Sequence, residues 1–260
     1  MGTREQYLEA LGVETWVRRR TPAAQREPAR GAAPAPAASS PSATPPPSAS
    51  LPPSAAPTPP AGLAGADWDA LQAQVRACTR CALAQTRTQT VFGVGNRAAE
   101  LLVVGEAPGA DEDRQGEPFV GRAGQLLTAM LRAMGAARET VYIANILKCR
   151  PPGNRDPSAE EVGCCLPYLQ RQVELLAPRV MLAVGRIAAQ NLLATDTPIG
   201  KLRGRLHEFG PGRIPLVVTY HPAYLLRSPG EKRKAWTDLK FLRAHLRQRR
   251  SDAGRDPAAT

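Results

Sequence analysis

The chain has 260 residues and a formal net charge of +11, from 34 Lys and Arg against 23 Asp and Glu. It has no apolar run of the roughly 18–20 residues that span a bilayer and no charged-then-apolar opening segment. The sequence therefore predicts a cytoplasmic protein with no membrane partner and with reduced thiols. The positive charge favours a polyanionic partner such as a nucleic acid, although a solvated arginine-rich surface would give the same excess.

The first 62 residues divide into two segments by composition. Residues 1–20 place Tyr7, Leu8, Leu11 and Trp16 roughly on one helical face, which predicts a short amphipathic helix. Residues 21–62 contain 13 Pro and 13 Ala and almost no large apolar side chain, so they predict a disordered linker. The helix could dock on a partner protein or fold back on its own domain, and the sequence leaves both open.

Residues 63–248 predict one globular domain, followed by a disordered tail at 249–260. Four short runs rich in Val, Ile or Leu alternate with helical patterns, and each run reads as a strand buried on both faces. The runs lie at 100–106, 140–147, 179–186 and 214–221. This alternation predicts a three-layer α/β/α domain with a short, mainly parallel, four-stranded central sheet. Ligands of such sheets bind at the carboxyl ends of the strands.

The chain has five cysteines, and an odd number in a reducing compartment favours metal ligation over disulfides. Cys78 and Cys81 form a C-x2-C pair, and Cys149 and Cys165 could complete an all-thiolate site. Such a site suits zinc or an iron–sulfur cluster, and the spacing does not choose between them. The alternatives are a redox-active pair and two small core residues. Cys164 could also replace Cys165 as a ligand.

Three longer motifs lie at the predicted strand ends: GEAPGADEDRQGEPFVGRAGQLL at 105–127, NILKCRPPGNRDP at 145–157 and HPAYLLR at 221–227. With the cysteines, in this order and spacing, they resemble the signatures of family 4 uracil-DNA glycosylases, the iron–sulfur enzymes of bacteria and archaea. The resemblance runs from Cys78 to about Leu246. It implies the uracil-DNA glycosylase fold in a bacterial, cytoplasmic, monomeric enzyme. Such an enzyme hydrolyses the N-glycosidic bond of uracil in DNA and starts base-excision repair.

The resemblance also implies a structural [4Fe–4S] cluster. The ligands of the family fall on Cys78, Cys81, Cys149 and Cys165. The C-x15-C interval of the family ends at Cys165, so Cys164 is interpreted as a buried bystander.

Three residues match the main needs of uracil excision. In the resembling family, the residue at Phe119 stacks on the uracil ring. The amide of Asn145 offers a donor and an acceptor, which match O4 and N3–H of uracil and mismatch cytosine. His221 would donate to uracil O2 and stabilise the departing anion. The structural alternatives are a core phenylalanine, a capping asparagine and a structural histidine.

Four further residues lie at or after the end of the first predicted strand and would line the base pocket. They are Glu106, Ala107, Pro108 and Glu112. The better-known family 1 enzymes carry an aspartate where this chain has Ala107, so Glu106 is the candidate for orienting the attacking water. The alternative role for its side chain is to brace the loop. Glu112 could lie against C5 of the base and exclude the methyl group of thymine.

The last motif predicts DNA contacts. Leu225 or Leu226 could fill the gap left by the extruded nucleotide, and Arg227 could contact phosphate. A related cross-linking branch carries a Lys/Arg-rich insertion that this chain lacks, so we expect a monofunctional enzyme without a covalent DNA adduct.

Two other classes of protein compete with this interpretation. One is a non-catalytic nucleic-acid-binding module with a structural four-cysteine zinc site. The other is an electron-transfer protein, against which the pocket motifs argue. For residues 1–20, a repair or replication protein is the hypothesised partner.

Overall fold

A computed structural model describes residues 62–253. The predicted helix at 1–20, the predicted linker up to residue 61 and the residues after 253 lie outside the described part. Leu63 is already buried, in a small cluster with Leu71 and Val75. The packed domain therefore extends to the start of the described chain.

The central sheet of residues 62–253 has six strands in the order β1-β3-β2-β4-β6-β5. The strands are β1 Val94–Gly95, β2 Leu101–Gly105, β3 Tyr142–Asn145, β4 Val180–Val184, β5 Leu206–Phe209 and β6 Ile214–Thr219. Strands β3, β2, β4 and β6 run parallel, and these are the four predicted strands. Strands β1 and β5 add antiparallel edges. The predicted α/β class is confirmed, and the predicted number of strands is corrected from four to six.

The helices cover both faces of the sheet. They are α1 Trp68–Ala77, α2 Ala110–Gln115, α3 Arg122–Ala133, α4 Ala159–Leu176, α5 Arg186–Leu192, α6 Ile199–Leu202, α7 Pro222–Arg227 and α8 Lys232–Ala253, with 3₁₀ turns at Ala82–Gln85, Arg138–Thr140, Pro152–Asn154 and Pro229–Glu231. No helix within residues 62–253 is long and apolar enough to cross a membrane.

Alternate residues of β2 face opposite layers, as the two-residue period of a strand requires. Leu102 and Val104 pack with the layer formed by α4, α5 and α6. Leu101 and Val103 pack with the layer formed by α3, α7 and α8. Because both faces are covered, β2 is buried along its whole length, which explains its nearly continuous apolar sequence.

The strand register brings the carboxyl ends of the parallel strands to one edge. Gly105 of β2 pairs with Asn145 of β3, and Val184 of β4 pairs with Thr219 of β6. The residues that follow these positions therefore meet above the sheet, where ligands bind in folds of this class.

The last helix is longer than the sequence predicted. Helix α8 continues to Ala253, whereas a disordered tail was expected from residue 249. Leu242 and Leu246 hold the helix in the core, and Arg179 donates a 3.1 Å hydrogen bond to the carbonyl of Arg249. Arginine and glutamine are good helix formers, so the polar residues extend the helix beyond its buried stretch.

Candidate active site and cysteine cluster

A cavity of about 770 Å³ lies at the carboxyl ends of the parallel strands. All seven residues predicted to bind uracil line this cavity, together with Arg227. These seven are Glu106, Ala107, Pro108, Glu112, Phe119, Asn145 and His221. The structure thus brings together the predicted pocket residues from three separate motifs.

Asn145 carries an unsatisfied polar atom in this cavity. The residue is 2% exposed, and its Oδ1 has no hydrogen-bond partner among the described residues. A Cβ placed on Gly105 would lie 2.4 Å from that oxygen, so only glycine leaves room there. An unpaired buried acceptor costs about 1–3 kcal/mol, and a ligand N–H would remove this cost.

Phe119 has a strained backbone beside Asn145. Its φ is +57°, which is uncommon for a bulky residue and typical of functional positions. A Cβ on Gly124 would lie 1.8 Å from the Phe119 carbonyl oxygen, so the close approach of helix α3 requires glycine. The Phe119 ring lies 5.7 Å from the His221 ring, with 31° between the planes. The two rings therefore flank the same part of the cavity.

The carboxylate of Glu112 fixes the loop that follows Phe119. Its Oε1 accepts hydrogen bonds from the backbone N–H groups of Val120 and Gly121, at 3.0 and 3.2 Å. Its Oε2 accepts from the N–H of Gly109, at 3.1 Å, in the capping box of helix α2. Bonds on both oxygens hold the Phe119 loop against the start of α2.

Glu106 follows β2, and its carboxyl group has a pKa raised from the usual 4.5 to about 7. Burial is the main cause, because it disfavours the charged form. The negative charge of Asp156 adds to the shift, and the guanidinium of Arg186 opposes it. A carboxylate with a pKa near neutral is suited to accept a proton during catalysis.

His221 follows β6 and caps helix α7. Its Nδ1 accepts a 3.1 Å hydrogen bond from the backbone N–H of Ala223, so the proton of the neutral ring is on Nε2. Burial, and then the nearby charge of Arg227, lower the pKa of His221 to about 4. The imidazole is therefore neutral at physiological pH. Gly185 approaches the ring closely, since a Cβ there would lie 3.0 Å from the Cβ of His221.

The two leucines predicted as alternative wedges lie in different environments. Leu225 is 1% exposed and belongs to the core, whereas Leu226 is 37% exposed. Leu225 lies on the core side of helix α7. Leu226 remains available for DNA.

The four predicted ligand cysteines come from the C-x2-C turn, the loop after β3 and helix α4. The cysteines raise one another's pKa: Cys149, Cys164 and Cys78 act on Cys81, and Cys149 and Cys81 act on Cys165. Burial is the larger cause in both cases and raises the pKa of Cys165 to about 12. A cationic centre would relieve this repulsion, so the donor set fits a thiolate-bound metal group.

The four thiols alone do not determine the kind of metal group. Among residues 62–253, no group of three or more His, Cys, Asp or Glu side chains is placed to hold a metal ion. A four-thiolate set suits zinc as well as an iron–sulfur cluster.

Hydrogen bonds distinguish the neighbouring cysteines 164 and 165. The Cys164 thiol donates to the carbonyl of Arg80 at 3.3 Å, and the guanidinium of Arg80 donates back to the carbonyl of Cys164 at 2.8 Å. Cys165 Sγ instead lies 3.5 Å from the backbone N of Lys148. Backbone N–H groups near the sulfurs are common around iron–sulfur clusters, where they tune the centre.

Sequence reasoning missed two residues of this region. Arg87 donates to Cys149 Sγ at 3.0 Å. Lys148 is 1% exposed, and burial lowers its pKa to about 7. No periodicity distinguishes a buried lysine from the exposed lysines of a basic chain, and only its position beside Cys149 offered a signal.

The fold and the cavity define a class of protein, an α/β enzyme that binds its ligand beyond the ends of a parallel sheet. The model of the uracil DNA glycosylase superfamily matches residues 92–240. The type-4 uracil-DNA glycosylase of Archaeoglobus fulgidus is 46% identical over 181 residues, which cover 67% of this chain and 90% of the relative. The type-4 enzyme of Pyrobaculum aerophilum is 41% identical, over 68% and 93% of the two chains. That of Thermotoga maritima is 44% identical, over 60% and 81%.

The chain belongs to the type-4 uracil-DNA glycosylase family. The resemblance found in its three motifs is confirmed, and so is the predicted class of activity, a DNA-repair glycosylase.

Proposed function

We propose that the protein hydrolyses the N-glycosidic bond of uracil in DNA, releases uracil and leaves an abasic site. The observation that carries this proposal is the unpaired Oδ1 of Asn145 in a cavity flanked by Phe119 and His221. A buried acceptor without a partner selects a ligand that brings a donor, and uracil offers N3–H. Cytosine has an unprotonated N3 there, so it would leave the acceptor unpaired.

The base enters the cavity after it flips out of the DNA strand. Phe119 would stack on the uracil ring. The hydrogen bonds of Glu112 and the close contact with Gly124 hold its loop in position for this. The amide group of Asn145 would donate to O4 and accept from N3–H. Glu112 would act on base selection mainly through the Phe119 loop, because backbone donors already occupy both of its oxygens.

His221 would stabilise the leaving uracil anion. Its Nδ1 is occupied by the N–H of Ala223, so the neutral imidazole presents Nε2–H as a donor to uracil O2. As the glycosidic bond breaks, its electron pair moves onto the base and the charge on O2 grows. The hydrogen bond from His221 therefore strengthens in the transition state, which is the condition for catalysis.

Glu106 would orient the water that attacks the anomeric carbon of the sugar. The water forms a bond to this carbon and transfers a proton to the carboxylate of Glu106, whose pKa is about 7. Proton transfer of this kind contributes roughly 10²–10⁴-fold to a rate. The protonated carboxyl returns the proton to solvent when the products leave.

DNA would be held at the rim of the cavity. Leu226 would fill the gap left by the flipped nucleotide, and Arg227, which lines the cavity, would contact a phosphate. The net charge of +11 would add salt-dependent affinity for DNA.

Cys78, Cys81, Cys149 and Cys165 would hold a [4Fe–4S] cluster. The cluster would supply a covalent tie between the C-x2-C turn, the loop after Asn145 and helix α4. That tie fixes the loop beside the base-reading residue. The capping box of Ser158 and Glu161 starts α4 in the orientation that presents Cys165. Arg87 donates to Cys149 Sγ and would partly offset the negative charge of the thiolates.

Two assays test the proposal against the zinc-site alternative. The purified full-length protein is mixed with an oligonucleotide that contains one uracil, and alkali then cleaves any abasic site. The proposal expects a strand break at the uracil and none in a control strand with thymine or cytosine. An intact uracil strand would contradict an enzyme and favour a binding module. Iron with inorganic sulfide in the protein supports the cluster, and zinc without sulfide would contradict it.

We expect a monomer in a bacterial cytoplasm, where thiols stay reduced. Residues 1–20 would contact a repair or replication protein.

A further inference from the structure

Two tyrosines lie at the rim of the cavity and have no part in the chemistry described above. Tyr220 follows β6 and Tyr224 lies in helix α7, and both line the cavity. Their ring centroids are 5.0 Å apart, with 51° between the planes. Tyr224 is 37% exposed, so its ring presents aromatic surface to solvent beside the site where the base enters.

Exposed large apolar side chains are rare in the described part of the chain. In residues 62–253 they are Leu206, Tyr224 and Leu226. Two of the three lie in helix α7, which is capped by the catalytic candidate His221. The exposed apolar surface is therefore concentrated where DNA must approach, as expected for a binding surface.

One face of the Tyr220 ring packs against Arg203, which belongs to a buried ion pair. The guanidinium carbon of Arg203 lies 4.1 Å from the centre of the Tyr220 ring. Arg203 Nε donates to Asp238 Oδ2 at 2.7 Å, and the side chains of this pair are 10% and 2% exposed. The Thr219 hydroxyl donates to the same Asp238 oxygen at 2.8 Å. These contacts fix Arg203, and Arg203 in turn fixes Tyr220.

Tyr220 is restrained on one face by Arg203, and Tyr224 packs against it. A ring that is restrained before binding loses little entropy when it binds, so contacts to it yield more affinity. The tyrosine pair has the features of a pre-organised stacking surface.

We propose that Tyr224, braced by Tyr220 and Arg203, is a stacking site for the nucleobase next to the flipped uracil in the same strand. Flipping removes the stacking partner of both neighbouring bases, and an aromatic ring at the rim replaces it for one of them. Tyr224 lies three residues after His221, about 4.5 Å along the helix axis. One nucleotide step of a stacked strand is about 3.4 Å, so an adjacent base falls within reach.

The chemistry of this site is sequence-tolerant, because every base has a π face. Leu226 would act differently. An aliphatic side chain fills the gap in the duplex but does not stack on the face of a base. The inference rests on the proposed binding of uracil in the cavity. The stacking site would be a second nucleotide-binding position on the protein, and uracil release itself does not require it.

The test removes the ring from the protein and the base from the DNA. Full-length wild type, Tyr224→Ala and Tyr224→Phe act on single-stranded oligonucleotides with one uracil. One substrate has natural bases on both sides, and two others carry a tetrahydrofuran residue, which keeps sugar and phosphate but lacks a base, on the 5′ or the 3′ side. Leu206→Ala serves as a control with similar exposure on the edge strand β5.

On the natural substrate we expect Tyr224→Ala to lower kcat/KM about tenfold, within the range for stacking of one base on an aromatic ring. Tyr224→Phe and Leu206→Ala should match the wild type. On one of the two tetrahydrofuran substrates, wild type and Tyr224→Ala should have equal rates. That equality would also show that the variant is folded.

Three results would overturn the stacking site. The first is an unchanged rate for Tyr224→Ala on the natural substrate. The second is the same loss on all three substrates, which indicates a contact to sugar or phosphate or a structural defect. The third is an equal loss in Tyr224→Phe, which indicates a hydroxyl contact. If the wild type released no uracil from the natural substrate, the proposed function would fail first, and the stacking site with it.

Discussion

Lys148 Nζ donates a 2.9 Å hydrogen bond to the backbone carbonyl of Asn145, from a side chain that is 1% exposed. The same Nζ donates to Gln172 Oε1 at 2.6 Å, and the amide of Gln172 donates to the carbonyl of Phe92 at 2.9 Å. Gln172 belongs to α4, the helix that carries Cys165. A buried polar network therefore connects Asn145, the proposed base-reading residue, to the helix that carries Cys165.

Replacing Lys148 by methionine should destabilise the protein. Methionine fills a similar volume but leaves the two acceptors without a donor, and each buried unpaired acceptor costs about 1–3 kcal/mol. Urea unfolding of the iron-loaded protein should show the lower free energy of unfolding. The exposed Lys240 provides the control, because Lys240→Met should leave the unfolding midpoint unchanged. Equal stability of Lys148→Met and wild type would mean that the network is not stabilising.

The neighbouring residues Cys164 and Cys165 should respond differently to substitution by serine. Cys165→Ser should lose iron and unfold more easily, because ligand loss removes metal-linked folding energy. Cys164→Ser should keep its iron, since a serine hydroxyl can still donate to the carbonyl of Arg80 that Cys164 contacts. Iron and sulfide analysis with thermal unfolding measures both effects. Loss of iron from Cys164→Ser alone would reverse the ligand assignment.

The rate of uracil release should fall as the pH drops below about 7. Glu106 acts as a base only when it is ionised, and burial raises its pKa from 4.5 to about 7. The pKa of His221 is about 4, so this residue stays neutral over the same range. Single-turnover rates between about pH 5 and 9 should therefore rise to a plateau.

Glu106→Gln separates this explanation from others. The variant should lose roughly 10²–10⁴-fold in rate and should also lose the pH dependence. If the same dependence near pH 7 persisted in Glu106→Gln, another group would be the base.

Much of the fold was predictable because buried parallel strands leave a strong signal. Strands β2 and β4 are apolar throughout, and helical patterns separate them. The edge strands left no such signal. Strand β1 has two residues, and β5 mixes Leu206 and Phe209 with the polar His207 and Glu208, with most of its residues exposed or half-buried.

The candidate site was predictable to the level of motifs, and less so to the level of single side chains. Adjacent residues share almost the same sequence context, so only the helix orientation distinguishes the buried Leu225 from the exposed Leu226. The buried Lys148 was not predictable, because its burial depends on acceptors supplied by Asn145 and the distant Gln172.

The substitution Asn145→Asp tests most directly whether Asn145 recognises uracil. The carboxylate replaces the donor to uracil O4 by an acceptor and places negative charge beside it. A pocket built for a polar edge rejects a mismatch strongly, by up to ~10⁴ in rate. Asn96→Asp, on the exposed loop before β2, provides the control, because its Oδ1 only accepts from Ala98 N–H.

The measurement is single-turnover release of uracil from pre-bound DNA. Asn145→Asp should be slower by several orders of magnitude, with traces of cytosine excision, while Asn96→Asp should match the wild type. Uracil release by Asn145→Asp at the wild-type rate would contradict the account, and base recognition would have to be assigned to other residues of the cavity.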